Sequence, residues 1–287
     1  MRTDGRESGN VEDRRGMGGI PGGGRTIGGG IGVLVVAVAA MFFGIDPRIV
    51  LGLLGGTEQG APPTTVQTPT SKPQDQMGRF VSVVLADTED TWQALFKQMG
   101  RTYEEPRLVM FTQATPTACG TGQSAMGPFY CPADRRVYID LAFYRLLQER
   151  FKAPGDFAQA YVIAHEVGHH VQNLLGIMDK VQASRSRLSE TQNNALSVRV
   201  ELQADCFAGL WAHHAQRSRQ VLEQGDIEEA LRAATAIGDD TRQRRSQGTV
   251  VPESFTHGSA AQRSRWFRRG FEAGSVAACN TFDAPTL

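Results

Sequence analysis

Residues 164–170 have the sequence AHEVGHH, which contains the pattern His-Glu-x-x-His inside an apolar segment of helical periodicity. Positions i and i+4 of a helix lie on one face, so the imidazoles of His165 and His169 can bind one metal ion together. Glu166 would then point at a water molecule on that ion. The spacing predicts the active helix of a zinc hydrolase, and a surface helix that carries these residues by chance is the alternative.

A second helix-like segment, residues 198–211, supplies the rest of the predicted site. A zinc site with two His needs a third protein ligand and leaves its fourth position to water, and Glu201 is the predicted third ligand. Asp205 lies one turn further along, where its carboxylate can accept the second N–H of a ligating His. A solvated helix face is the alternative, but most neighbouring residues are apolar, so both carboxylates are expected to have partners.

The two patterns together, H-E-x-x-H and E-x-x-A-D, resemble those of the gluzincin metallopeptidases. Longer strings resemble the bacterial "putative neutral zinc metallopeptidase" family: NVEDRRG (10–16), AMGPFYCPADRRVYIDLAFY (125–144), AHEVGHHVQ (164–172), ELQADCFAGLWAH (201–213) and FTHGSAAQRSRWF (255–267). The likeness covers nearly the whole chain. It implies a membrane-anchored zinc peptidase that acts on peptides or proteins, and we expect one zinc ion per chain.

The composition suits one globular domain of about 200 residues with appendages. Hydrophobic residues make up 40% of the 287 residues, charged residues make up 21%, and the formal net charge is zero. This balance argues against a nucleic-acid-binding protein. Two local arginine clusters are interpreted as solvated faces, with a contact to lipid headgroups as the alternative. They consist of Arg242, Arg244 and Arg245, and of Arg263, Arg265, Arg268 and Arg269.

The chain divides into four predicted regions. Residues 1–26 are rich in Gly and charge, which predicts a disordered tail. Residues 27–45, IGGGIGVLVVAVAAMFFGI, carry no charge and are long enough as a helix to cross a hydrocarbon core of roughly 30 Å, which predicts one transmembrane helix. Residues 46–76 are rich in Pro, Thr and Gln and are predicted to form a linker. Residues 77–287 would form the peptidase domain.

Arginines are unevenly distributed around the apolar run. Arg2, Arg6, Arg14, Arg15 and Arg25 precede it, and only Arg48 follows it closely. The positive-inside rule therefore predicts a single-pass protein of the cell (inner) membrane, with a cytoplasmic tail and a periplasmic or extracytoplasmic domain. A cleaved signal peptide is the competing interpretation. Gly28 and Gly32 form a G-x-x-x-G pair that would let two such helices associate, and a merely Gly-rich helix end is the alternative.

Around the active helix the sequence predicts an α+β fold, a mainly helical gluzincin-like domain with a small sheet. Strands are predicted at 107–111 and 136–140, helices at 80–99, 141–151, 156–175, 227–237 and 260–271, and a loop at 184–194. By the resemblance, residues 124–129 are assigned to an edge strand that binds an extended substrate through its backbone, with an ordinary hairpin loop as the alternative. Gly168 predicts a close approach of the sheet to the active helix.

Four cysteines are present, namely Cys119, Cys131, Cys206 and Cys279. In a domain predicted to lie outside the cytoplasm, an even number suggests two disulfides. Of the three pairings we favour Cys119–Cys131, which brackets the proposed substrate strand, and Cys206–Cys279, which ties the Glu201 helix to the C-terminus. A cysteine zinc site is disfavoured because the chain has no C-x-x-C pair.

The predicted site implies a mechanism. Zinc on its three predicted ligands would activate a water molecule and polarise the scissile carbonyl, while Glu166 moves the proton of that water to the leaving amine. His257 is our candidate donor to the oxyanion. The other candidates are Tyr130, Tyr138 and Arg263, whereas His170, His213 and His214 are predicted to be packing or surface residues.

Two other functions fit the same residues. One is a membrane-anchored binding or scaffold protein with a structural zinc site, which would have four protein ligands and no water. The other is a zinc hydrolase that acts on something other than peptides.

Overall fold

The computed structural model describes residues 1–16, 73–150 and 152–287. The predicted transmembrane run 27–45 and most of the predicted linker lie outside these ranges. Within them, no helix combines the length and the apolar character needed to cross a membrane.

The described residues form a mainly helical α+β fold, as predicted. Its strands are β1 (Val11–Asp13), β2 (Arg107–Phe111), β3 (Ala114–Thr117), β4 (Gly120–Gln123), β5 (Phe129–Cys131) and β6 (Arg136–Asp140). Its α-helices are α1 (Gln76–Gln98), α2 (Ala142–Glu149), α3 (Asp156–Leu174), α4 (Ile177–Arg185), α5 (Glu190–Arg219), α6 (Asp226–Ala236), α7 (Asp239–Gln247) and α8 (Ala260–Ala273).

The main sheet has the strand order β1-β2-β6-β5. Strands β1, β2 and β6 are parallel, and β5 runs antiparallel to β6 at one edge. Strand residues alternate between two faces, so Leu108 and Met110 of β2 join the main core while Val109 and Phe111 pack on the other face. Next to that second face, the Cys119–Cys131 disulfide joins the turn of the β3–β4 hairpin to β5.

Helices α5 and α8 touch backbone to backbone because each carries a glycine at the crossing. A Cβ on Gly209 would lie 1.9 Å from the Phe267 carbonyl oxygen, and one on Gly270 would lie 1.9 Å from the Cys206 carbonyl oxygen. No other residue type leaves enough room at these two positions. The second predicted disulfide, Cys206–Cys279, is present and ties α5 to the turn that follows α8.

Gly168 does mark a close approach to α3, but its neighbour is a helix and not the predicted sheet. A Cβ on Gly168 would lie 3.1 Å from both the Cα and the carbonyl oxygen of Ala204 in α5. The apolar pattern of α3 does not distinguish a helix from a sheet as the partner, which is why the prediction was wrong. The contact brings the His-Glu-x-x-His turn alongside Glu201 and Asp205.

Residues 1–16 are part of the fold, so the prediction of a disordered tail is wrong for them. Strand β1 extends the sheet by pairing with β2. The polar side chains of the segment have buried polar partners: Glu89 is fully buried and accepts hydrogen bonds from Ser8 Oγ at 2.5 Å and Asn10 Nδ2 at 2.9 Å. Composition predicts disorder here because it registers polarity and contains no information about distant partners.

The predicted substrate strand is also placed differently. Residues 124–126 form a 3-10 turn, and the edge strand begins only at Phe129. Gly127, with φ of 77°, redirects the chain between the two.

The prediction of a loop at 184–194 is wrong, because this range contains the end of α4 and the start of α5, where Ser189 and Gln192 form a capping box. At the start of α3, Glu229 of α6 accepts the Phe157 N–H at 3.1 Å. Helix α7 is not predicted because its sequence is wholly polar.

Candidate metal centre

Three predicted site residues converge between α3 and α5. Nε2 of His165 lies 3.2 Å from Oε2 of Glu201, and Nε2 of His169 lies 3.5 Å from Oε1 of Glu201. The three residues each offer a ligand atom within 4.8 Å of the others. A tetrahedral zinc ion with bonds of about 2.0–2.1 Å separates its ligand atoms by about 3.3 Å, so this arrangement fits zinc.

Both imidazoles are oriented by a hydrogen bond on the far side of the ring. Nδ1 of His165 lies 2.9 Å from Oδ1 of Asp205, and Nδ1 of His169 lies 2.9 Å from Oε1 of Gln172. Both partners are acceptors, so each Nδ1 carries the proton and each Nε2 presents its lone pair to the common centre. Two neutral imidazoles and one carboxylate form a donor set that zinc prefers, and they leave one of its four positions open.

Gln172 is a residue that sequence reasoning missed. Its amide nitrogen donates to the Val200 carbonyl at 2.7 Å and to Oε1 of Gln203 at 3.0 Å, which leaves the amide oxygen for His169. The available signal was its position, because a residue three places after His169 lies on the same face of the helix.

Asp205 is fully buried and accepts from three groups. Besides His165, the Tyr161 hydroxyl donates to it at 2.5 Å, and Arg263 donates through Nε and Nη2 at 2.8 and 2.9 Å. Burial opposes ionisation, but Arg263 and His165 outweigh it and lower the pKa of Asp205 to about 2. Asp205 is therefore an anion at neutral pH and can hold the His165 ring in place.

Glu166 lies beside the two ligand histidines and is 7% exposed. Within the part of the chain that the structure describes, its carboxylate forms no hydrogen bond. Burial raises the pKa of Glu166, although the two neighbouring imidazoles act in the opposite direction. A carboxylate in this state is available to take up a proton.

The family described as "Putative neutral zinc metallopeptidase" matches residues 1–282. The chain belongs to that family. Relatives include "Uncharacterized protein YpfJ" of Escherichia coli K12, which is 53% identical over 291 residues that cover 98% of this chain and 99% of the relative. "Uncharacterized protein Mb2605" of Mycobacterium bovis is 40% identical over 260 residues, 86% of each chain. No solved structure matches the chain. Membership supports a zinc cofactor and a peptidase activity at the level of the family.

His257 lies in the loop before α8 and its side chain is 41% exposed. Its Nδ1 lies 2.9 Å from the Thr256 hydroxyl and 3.4 Å from Oδ1 of Asp239. The other Asp239 oxygen accepts the backbone N–H groups of Thr256, His257 and Gly258 at 2.8, 2.6 and 3.1 Å. Asp239, which sequence reasoning also missed, therefore fixes the loop and, together with Thr256, the imidazole.

The carboxylate of Glu201 faces the position between the two histidines. Burial alone would raise its pKa, but the positive charge that His169, His257 and His165 carry when protonated holds this pKa well below its ordinary value. Glu201 therefore presents an anion to the metal position.

The other candidate donors have different partners. Arg263 is 2% exposed and is held by Asp205, and the Tyr138 hydroxyl donates to Asp134 at 2.7 Å. The Tyr130 hydroxyl lies 3.0 Å from Nδ1 of His170. Each of these groups already has a polar partner, whereas Nε2 of His257 forms no hydrogen bond with any described residue, so His257 remains the preferred candidate.

His170 is a packing residue, as predicted. It is fully buried, and its Nε2 donates to the Glu104 carbonyl at 2.6 Å, so its Nδ1 accepts from Tyr130. Burial lowers the pKa of His170 to about 4, which keeps the ring neutral. The bond between Tyr130 and His170 ties β5 to α3.

The purified full chain should hold about one zinc ion, and His165→Ala, His169→Ala and Glu201→Ala should each bind it at least tenfold more weakly. Each substitution removes one of three converging ligand atoms. Metal content and competition with a chelator measure the effect. His214→Ala is the matched control, because His214 bonds to the Gly274 carbonyl away from the centre and its loss should leave zinc binding unchanged. Full-strength binding by Glu201→Ala would assign the third ligand to another residue.

Proposed function

We propose that the protein is an endopeptidase in which zinc is held by His165, His169 and Glu201 and Glu166 is the general base. The observation that carries this proposal is the geometry of the centre: three ligand atoms converge, and an unpaired, buried carboxylate lies beside them. When bound, zinc would supply a Lewis acid that activates water and polarises the scissile carbonyl.

Glu166 would take a proton from the attacking water and deliver it to the leaving nitrogen. Its burial supports this role, because a carboxylate whose pKa lies above the ordinary value holds a proton more readily during transfer. His165 and Asp205 would remain in place throughout, since Asp205 is anchored by Tyr161 and Arg263.

His257 would donate a hydrogen bond to the oxyanion that forms at the scissile carbonyl. Its partial exposure and its Nε2, which forms no hydrogen bond with any described residue, support this role. Asp239 would act as a positioning residue, because it accepts three N–H groups of the loop and lies 3.4 Å from Nδ1 of His257, which the Thr256 hydroxyl also contacts at 2.9 Å.

Strand β5 would bind an extended peptide substrate along its free edge. It pairs only with β6 among the described strands, which leaves one row of backbone groups for a peptide. The bond between Tyr130 and His170 ties this edge to the helix that carries the ligand histidines, and the Cys119–Cys131 disulfide ties it to the β3–β4 hairpin. Backbone pairing requires no particular side chain, so it suits a peptidase of broad sequence preference.

Lipid attachment is also part of the proposal. The apolar run 27–45, which lies outside the described residues, would attach the protein to a bilayer through its apolar side chains.

A structural zinc site is the alternative function, and the composition of the centre disfavours it. A closed site needs four protein ligands. Among the residues that the structure describes, the His, Cys, Asp and Glu side chains that converge here are three. Three ligands leave a position for water, which a hydrolase uses and a structural site does not need.

Glu166→Gln should cut the turnover of an unfolded protein substrate by at least about 100-fold, because the amide cannot accept the water's proton. Zinc content and the thermal unfolding temperature should stay near those of the wild type, since the substitution keeps the shape. Glu149→Gln, an exposed change on α2, is the matched control and should leave turnover unchanged. Wild-type turnover by Glu166→Gln would exclude this mechanism.

His257→Ala should lower kcat by about 10²–10³-fold with a much smaller change in KM, because the lost bond is made mainly in the transition state. Steady-state kinetics with a fluorogenic peptide measure both constants, and His214→Ala is the control. Asp239→Asn should also lower kcat. Asp240→Asn is its matched control and should leave kcat unchanged, since Asp240 accepts the Ala260 N–H and does not contact His257. An unchanged kcat in His257→Ala would assign the oxyanion donor elsewhere.

A further inference from the structure

The N-terminal segment, residues 1–16, is held to the domain along its length. Backbone hydrogen bonds run from Arg2 N to the Val221 carbonyl at 2.8 Å, from Ser8 N to the Ser82 carbonyl at 3.0 Å, and from Arg14 N to the Met110 carbonyl at 2.8 Å. The side chain of Met1 is buried, and its amino group lies 2.6 Å from Oδ1 of Asp156 at the start of α3. The segment therefore contacts α1, β2, α3 and the turn after α5.

Glu89 of α1 depends on this segment for its partners. Its carboxylate is fully buried and accepts from Ser8, Asn10 and Arg6, all of which belong to the N-terminal segment. Without the segment, a buried anion would lose these donors, and the edge of β2 would lose its pairing with β1. The packed position of the segment is therefore strongly preferred over a detached one.

The end of the N-terminal segment lies beside the start of α1. Arg15 forms ion pairs with Asp13 of β1 and with Asp75, the N-cap residue of α1. Residues 15 and 75 therefore lie on the same part of the surface. The family match likewise starts at residue 1 and includes the segment.

We propose that residues 1–16 and residues 73–287 lie on the same side of the membrane. A single crossing by the run 27–45 would put a hydrocarbon core of roughly 30 Å between them and separate β1 from β2. The opposite-sided orientation expected from the arginine distribution is incompatible with this packing. The inference rests on the N-terminal segment alone and is independent of zinc and catalysis.

Labelling of single added cysteines in the full chain tests the proposal. Asp4→Cys lies in the N-terminal segment and Val251→Cys lies in the domain, and both native side chains are exposed, at 73% and 45%. The four native cysteines are paired in two disulfides, and the unsubstituted chain, labelled in parallel, gives the background from any that are reduced. In intact cells, a membrane-impermeant maleimide should label both variants or neither, and permeabilised cells should show both labelled. Labelling of one variant and protection of the other in intact cells would overturn the proposal.

A cross-link tests the packing itself in the same cells. The double variant Arg15→Cys/Asp75→Cys should be joined by a short, membrane-permeable bismaleimide, because the two native side chains are in contact. The two single variants are the controls and should show no intramolecular link. Proteolysis of the region between the two sites followed by electrophoresis reads out the link. Failure of the double variant to cross-link, with both cysteines shown to react singly, would also overturn the proposal.

Discussion

The contact between Gly168 of α3 and Ala204 of α5 is the constraint on which the rest of the site depends. A residue with a Cβ at Gly168 would meet the backbone of Ala204 at 3.1 Å, and the two helices would have to separate by a few tenths of an ångström. The two ligand histidines lie one residue and three residues from Gly168, and Glu201 lies one turn before Ala204. A shift of that size would already change the distances between the histidine and glutamate ligand atoms, and zinc tolerates only about 0.2 Å in each bond.

Behind the ligands, a buried layer of polar groups fixes what the helix contact brings together. Asp205 carries a full negative charge in the interior, and it is stable there because Arg263 and Tyr161 donate to it as well as His165. Arg263 reaches Asp205 because α8 crosses α5 at two glycines, Gly209 and Gly270. The close packing of α3, α5 and α8 therefore also fixes the orientation of His165.

Periodicity predicts the features of this protein that repeat along one element. The active helix and strands β2 and β6 follow from local spacing, and both disulfides match the favoured pairing. Features that depend on partners far away in the sequence cannot be predicted from local spacing. Gln172 and Asp239 look like ordinary polar residues until the fold places His169 and His257 beside them. The N-terminal segment looks disordered because its partner Glu89 is far away in the sequence.

The central claim is that this metal centre has three ligands from the chain and one open position. X-ray absorption at the zinc edge of the purified full chain, with and without a peptide that carries a thiol, tests it most directly. The claim predicts two imidazole nitrogens and carboxylate or water oxygens at about 2.0–2.2 Å, and a new sulfur ligand at about 2.3 Å when the thiol peptide is added. A spectrum that the thiol leaves unchanged, with four ligands supplied by the chain, would contradict it.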